Sequence, residues 1–248
     1  MTSPGQCIAV ASGKGGTGKT SFAAGVGAAL ALAGRKVLCL DCDIGLRNLD
    51  LALGLSDRAL MDFTDVIAGR CTLEDAVVQH PKYPKLHLLT APLSARPMPI
   101  APEQMKALLD RIRQTYDYCL IDAPAGLGMG FHLASDYADR AVVVTNTDAS
   151  SLRDAQRAVA ELRHVATVQL VVNRVQTKLL KRLRTTIDDA MDAAGLPLLG
   201  IVPEDPQVML CANQGQPLIL RASRGAAVAY LNIAKRLLGQ KAPLMKMR

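Results

Sequence analysis

Residues Cys7 to Ser21 read CIAVASGKGGTGKTS. An apolar run, Ile8-Ala9-Val10-Ala11, leads into a glycine-rich turn, and an Ala-rich segment follows from Thr20 to Ala33. This order predicts a short buried strand, a turn and a helix. Gly13, then four residues, then Gly18, Lys19 and Thr20 fit the phosphate-loop pattern G-x-x-x-x-G-K-[ST]. Glycines let such a backbone fold into a nest of N–H groups that face phosphate oxygens, and the helix behind it adds the positive end of its dipole. Lys19 is placed to neutralise the outer phosphates, and the Thr20 hydroxyl suits Mg²⁺, a cation that takes oxygen ligands. A glycine-rich turn that binds nothing is the plain alternative, and the strand-to-helix setting argues against it.

The remaining chain frames that loop. Its 248 residues suffice for one large α/β domain, and no linker divides them. We read residues 1–238 as that domain and residues 239–248 as a short disordered tail. Half of the residues are hydrophobic and the mean hydropathy is +0.17, which fits fully buried strands and excludes a disordered chain. Thr20 to Gly34, the longest uncharged stretch, is shorter than the roughly 20 residues a membrane-spanning helix needs. No basic-then-apolar leader precedes Cys7, so the expected location is the cytoplasm.

A net charge of +7 indicates affinity for something acidic, whether nucleotide, nucleic acid or anionic lipid. Aromatic residues make up only 3% and Trp is absent, so stacking of exposed bases is disfavoured. The six cysteines are scattered and read as reduced core residues. Cys39 and Cys42 form a C-x-x-C, but on a strand they point to opposite faces, and no second pair follows at zinc-site spacing.

Further strands are expected at Lys36–Asp43, Leu86–Leu89, Tyr118–Asp122, Ala141–Thr145, Val168–Asn173 and Leu198–Val202. Helical patterns cover Pro102–Thr115, Ser150–Leu162, Lys178–Ala194 and Gly225–Leu238, with shorter helices at Asp62–Ala68 and Thr72–Val77. Pro81, Pro84, Pro92, Pro97, Pro99 and Pro102 break the region between Gln79 and Ala101 into loops. Alternating strands and helices predict a doubly wound α/β fold, a mostly parallel sheet with helices on both faces and ligands beyond the carboxyl ends of the strands. Asp41, Asp43 and Asp122 fall at those ends. Asp122 takes the place where phosphate-loop enzymes hold Mg²⁺.

Lys14-Gly15-Gly16-Thr17-Gly18-Lys19-Thr20 resembles the deviant phosphate loop of the MinD/ParA family of ATPases, a P-loop fold of the SIMIBI type, whose extra signature lysine is Lys14 here. The run Asp41-Cys42-Asp43-Ile44-Gly45-Leu46-Arg47-Asn48-Leu49-Asp50-Leu51 is similar to the MinD branch, the cell-division site selectors. Matches continue at Asp122-Ala123-Pro124-Ala125-Gly126, Ser150-Ser151-Leu152-Arg153-Asp154, Val202-Pro203-Glu204-Asp205 and Asn213-Gln214-Gly215. The resemblance implies a slow, partner-stimulated, Mg²⁺-dependent ATPase that dimerises with ATP bound. It assigns Gly13, Lys14, Gly15, Gly16, Thr17, Gly18, Lys19, Thr20 and Ser21 to the phosphates, and Asn173, Pro203, Glu204 and Asp205 to the base. It gives Thr20, Asp41 and Asp122 to the metal. Catalysis falls to Lys14 reaching across the dimer, to Lys19, and to Asp43 orienting the attacking water. A MinC-like inhibitor and a MinE-like regulator are the implied partners. Asn48 and Asp154 lie in segments the family uses for its dimer face and regulators, and equally suit a turn residue and a helix-surface charge.

Two departures stand out. Gly128 replaces the glutamate that usually follows the loop after the Asp122 strand. The family's amphipathic, membrane-binding C-terminal helix has no counterpart in the ending Gly239-Gln240-Lys241-Ala242-Pro243-Leu244-Met245-Lys246-Met247-Arg248, which argues against attachment to the inner face of the cell membrane. Lys178, Lys181, Arg182 and Arg184 offer an acidic-partner surface, and with it the alternative of a ParA-like ATPase that binds DNA non-specifically. Leu179, Leu183, Ile187 and Met191 form an apolar stripe on the same segment, so a core-packed helix with a solvated basic face is the favoured reading. A nucleotide-binding scaffold with little turnover is the remaining alternative.

Overall fold

The computed structural model describes residues 4–93 and 100–245. Its apolar runs form one eight-stranded sheet made of β1 (Gln6–Ala11), β2 (Val37–Asp41), β3 (Val78–His80), β4 (Tyr83–Leu89), β5 (Tyr118–Asp122), β6 (Arg140–Thr145), β7 (Val168–Val175) and β8 (Leu198–Pro203). The spatial order is β3-β4-β2-β5-β1-β6-β7-β8. All neighbours run parallel except the edge pair β3 and β4. In β1, Cys7 to Ala11 are completely buried, because helices cover both faces and no polar alternation is needed.

The helices are α1 (Lys19–Leu32), α2 (Leu49–Leu53), α3 (Phe63–Ile67), α4 (Leu73–Ala76), α5 (Pro102–Thr115), α6 (Met129–Ser135), α7 (Ala149–Glu161), α8 (Thr177–Leu183), α9 (Ile187–Ala194), α10 (Pro206–Asn213) and α11 (Ala226–Leu237). One face of the sheet packs Ile8, Val10, Cys39 and Val142 against α1 and α11. There α1 comes so close to α11 that a Cβ on Gly25 would lie 2.3 Å from the Tyr230 ring. On the other face α5 covers β2 and β5, while α6, α7 and α9 cover β1, β6 and β7. Cys39 and Cys42 join opposite layers, as the strand period requires.

α5 follows its sequence pattern closely, with Pro102 opening the first turn and Met105, Leu108, Leu109 and Ile112 buried at helical spacing. Two expectations need correction. Lys178–Ala194 is two helices, because Arg184 adopts φ 53 and ends α8, and a Thr186–Asp189 capping box then starts α9. The region after Gln79 is a hairpin around a β-bulge, and Pro84 lies inside β4 with its carbonyl accepting from Gln79 Nε2 at 2.7 Å. With only three residues, two of them polar, β3 leaves no alternation in the sequence. Pro97 and Pro99, and Lys246 to Arg248 of the tail, lie outside the described residues.

Residues 239–245 form neither helix nor strand, and Arg236 Nη2 donates to the Ala242 carbonyl at 2.9 Å. Among the described residues no helix is long and apolar enough to cross a membrane.

Candidate nucleotide and metal site

The loop Gly13–Thr20 leaves the carboxyl end of β1 and enters α1, whose first turn carries no acidic residue and whose N-cap makes no side-chain hydrogen bond. That leaves the amino end of α1 open to an anion. Lys19 is 7% exposed, and its Nζ donates to Ser12 Oγ at 2.8 Å, which in turn donates to the Lys14 carbonyl at 2.6 Å. The ammonium is thereby held under the loop. Asn173 Nδ2, from β7, donates to the Thr17 carbonyl at 2.7 Å. At Gly18, φ is 91°, and a Cβ there would sit 2.3 Å from that same Nδ2. Glycine is required twice over at this position. Gly13 rests against α7, where a Cβ would overlap the Asp154 carbonyl at 2.1 Å.

Asp41 and Asp122 end neighbouring strands and are register partners. Asp41 Oδ1 accepts from Asp43 N at 2.8 Å and Oδ2 from Leu49 N at 3.1 Å, so this carboxylate shapes the segment that carries Asp43. Asp122 is buried beside the Thr20 hydroxyl and keeps Oδ1 without a partner. Burial, with Asp41 nearby, pushes Asp122 up to about 8, and burial pushes Asp41 up to about 6. Asp43 also rises through burial, opposed by Lys19. Burial lowers Lys19, against the pull of Asp122 and Asp43.

Asp43 and Asp122 act on one buried ammonium, with Asp41 beside them, and Asp122 Oδ1 is orphaned. An orphaned buried carboxylate oxygen suits a cation. Among the described residues no three His, Cys, Asp or Glu side chains form a cage around a metal. This suits Mg²⁺, which commonly binds through one or two protein oxygens plus phosphates and water.

Beyond the loop opens a cavity of 640 Å³. Its walls include Gly15, Gly16, Gly18, Lys19, Thr20 and Ser21 from the loop, Asp43 from the segment after β2, Asn173 from β7, and Pro203, Glu204 and Asp205 from the end of β8 and the loop after it. Leu46, Val208 and Met209 add apolar lining, which suits the flat face of a base. Gly13, Lys14, Thr17, Asp41 and Asp122 do not line the cavity.

Lys14 lies outside the lining, 44% exposed, with Nζ donating to Ser150 Oγ at 2.7 Å and 3.6 Å from Asp148 Oδ1. Burial acts to raise Asp148, but hydrogen bonds from Ser150 and Ser151 and the charge of Lys14 hold it well below the usual carboxylate range.

Asp205 caps α10, and both its oxygens are engaged, by Gln207 N and by Ala226 N, each at 3.0 Å. Its side chain fixes the loop beside the cavity and leaves recognition to the backbone. Arg174 is a residue sequence reasoning missed. It pairs with Glu204 at 2.8 Å and donates to the Gly16 carbonyl at 3.4 Å, joining β7, β8 and the phosphate loop. Ser12 and Asp148 were missed too. For Ser12 and Arg174, adjacency to Gly13 and Asn173 was the available signal.

Asn48 lines the cavity from the N-cap of α2, while the Asp154 side chain pairs with Arg157 at 3.6 Å. Gly128 is the N-cap of α6, with open space where a side chain would lie.

A family model described as the CobQ/CobB/MinD/ParA nucleotide binding domain matches residues 8–218. The chain belongs to this family. It is 40% identical over 245 residues to the septum site-determining protein MinD of Bacillus subtilis (strain 168), covering 97% of this chain and 91% of that protein. A chain of the MinC:MinD cell division protein complex of Aquifex aeolicus superposes with a TM-score of 0.91 at 37% identity, over 97% of this chain and 98% of that one. MinD of Pyrococcus horikoshii OT3, solved with Mg-ADP, gives a TM-score of 0.83 at 30% identity, over 94% and 95% of the two chains. These likenesses place the chain among the MinD-like ATPases of the CobQ/CobB/MinD/ParA family.

Proposed function

We propose that this MinD-like protein is an ATP-driven dimerisation switch for selecting the cell-division site, working in the cytoplasm. The position of Lys14 carries the reading. It is half-exposed and lies outside its own chain's cavity, held on Ser150 and Asp148; in an ATP-bound dimer it would leave them for the facing subunit's phosphates. Lys19 and the loop bind the phosphates. Thr20 and Asp122 would hold Mg²⁺ with Asp41 behind them, and the bound ion supplies neutralisation of phosphate charge. Asp43, whose backbone is fixed by Asp41, orients the water that attacks the terminal phosphorus as ADP leaves. Positioning is the main need of this reaction, so a carboxylate at Asp43 suffices without a strong base.

A MinC-like inhibitor is the partner this reading supports, since the Aquifex aeolicus relative is solved as a MinC:MinD complex. A MinE-like protein would speed turnover. Phosphate release tests the assignment: Asp43→Ala should bind Mg-ATP as wild type does and lose hydrolysis by about 100-fold or more. Wild-type phosphate release from that variant would refute it.

A further inference from the structure

α2 is five residues long and α10 eight, and the chain touches itself just beyond their carboxyl ends. Gly54 closes α2 with φ 69°, and Gly215, just past α10, has φ 61°. A Cβ on Gly54 would lie 1.9 Å from the Gly215 carbonyl oxygen, and a Cβ on Gly215 would lie 3.0 Å from Gly54 Cα. Backbone meets backbone here, so no rotamer change can make room for an added side chain. Both helices also reach the nucleotide cavity. α2 begins at Leu49, whose N–H is held by Asp41 Oδ2, and the segment before it brings Asp43, Leu46 and Asn48 to the cavity wall. α10 begins at the Asp205 cap and lines the same cavity with Val208, Met209, Ala212 and Asn213.

We propose that Gly54 and Gly215 are positioning residues for ATP hydrolysis: through their contact, a base seated against α10 fixes α2 and, with it, the segment that carries Asp43. A base against Val208 and Met209 holds α10 from the cavity side, and the glycine contact passes that placement to α2. The base is remote from the reacting phosphorus, and binding energy from such remote parts of a substrate is what aligns the reacting groups. The inference rests on the hydrolytic role given to Asp43 above.

Phosphate release by the full chain from saturating Mg-ATP and from saturating Mg-tripolyphosphate, which lacks base and ribose, tests it. The wild-type chain should turn over ATP at least about tenfold faster, because a misplacement of about 1 Å at the reacting groups costs up to about 100-fold. Gly215→Ala should lower kcat for ATP by about tenfold with KM little changed, and leave tripolyphosphate turnover as in wild type, so that the ratio of the two rates falls close to one. Gly195, at the end of α9, has φ 65° and open space where a Cβ would lie. Gly195→Ala therefore carries the same left-handed backbone cost without a contact, and should lower the melting temperature yet keep the wild-type ratio. The proposal is overturned if the wild-type chain turns over both substrates equally, if Gly215→Ala keeps the wild-type ratio, or if Gly195→Ala loses it to the same extent. An unchanged ratio in Gly215→Ala, with Asp43→Ala inactive, defeats the glycine contact alone. Wild-type phosphate release from Asp43→Ala defeats the role of Asp43 and this inference together.

Discussion

Asn173 Nδ2 donates to the Thr17 carbonyl at 2.7 Å, so the end of β7 props the phosphate loop that leaves β1. The two residues are 156 positions apart in the chain. Asn173→Ala removes the only hydrogen bond described for that carbonyl, a loss of about 1–1.5 kcal/mol. Calorimetric titration with Mg-ADP should show affinity falling about tenfold.

Gly18→Ala meets the same amide. The left-handed backbone alone costs about 1–2 kcal/mol with a Cβ present, and overlap with Asn173 Nδ2 adds to that. Nucleotide affinity should fall at least ~tenfold. In the double variant Gly18→Ala/Asn173→Ala part of the loss should be recovered, so the two effects will not add in a double-mutant cycle.

The Asp122 carboxyl predicts a pH dependence. Its folded-state value is raised to about 8 from 3.8, so its contribution to stability is complete below the unfolded value and disappears as pH climbs through 8. Asp41, raised to about 6, acts in the same direction at lower pH. Nucleotide-free protein should thus lose stability between pH 4 and pH 8 on account of these two groups. Asp122→Asn, which cannot ionise, should melt about 2–4 °C above wild type at pH 8.5 for each ~1 kcal/mol relieved, and nearer to it at pH 5. Equal differences at both pH values would rule out this account, and Mg-ADP should shrink the high-pH gap.

Arg47 and Asp50 form an ion pair at 2.8 Å with side chains only 9% and 5% exposed, and Arg47 Nη2 also donates to the Ala59 carbonyl. Breaking a buried pair from one side leaves a carboxylate without its counter-ion, at a cost of about 3–5 kcal/mol. Arg47→Ala should lower the urea midpoint accordingly. It should also slow hydrolysis, because the pair anchors the segment between Asp43 and α2.

Much of this architecture was legible locally. The phosphate loop announces itself by spacing, and Asp41 and Asp122 were readable as strand ends because each closes an apolar run. That they are register partners was not, since the order β2-β5-β1 depends on crossovers that no local pattern encodes. The same holds for Arg174 against Glu204 and for Lys14 against Ser150, contacts spanning 30 and 136 positions. The break between α8 and α9 was hidden for another reason. Arg184 takes a left-handed conformation usually given to glycine, so the apolar period ran on unbroken across a real turn.

In the proposed switch ATP drives two chains together, and Lys14 acts across the interface. Light scattering on an eluting peak of Asp43→Ala, loaded with Mg-ATP or Mg-ADP, tests it most directly. The expected result is a dimer in Mg-ATP, a monomer in Mg-ADP, and a monomer in both once Lys14→Ala is added. A monomer in Mg-ATP, or a dimer undiminished by Lys14→Ala, would contradict it.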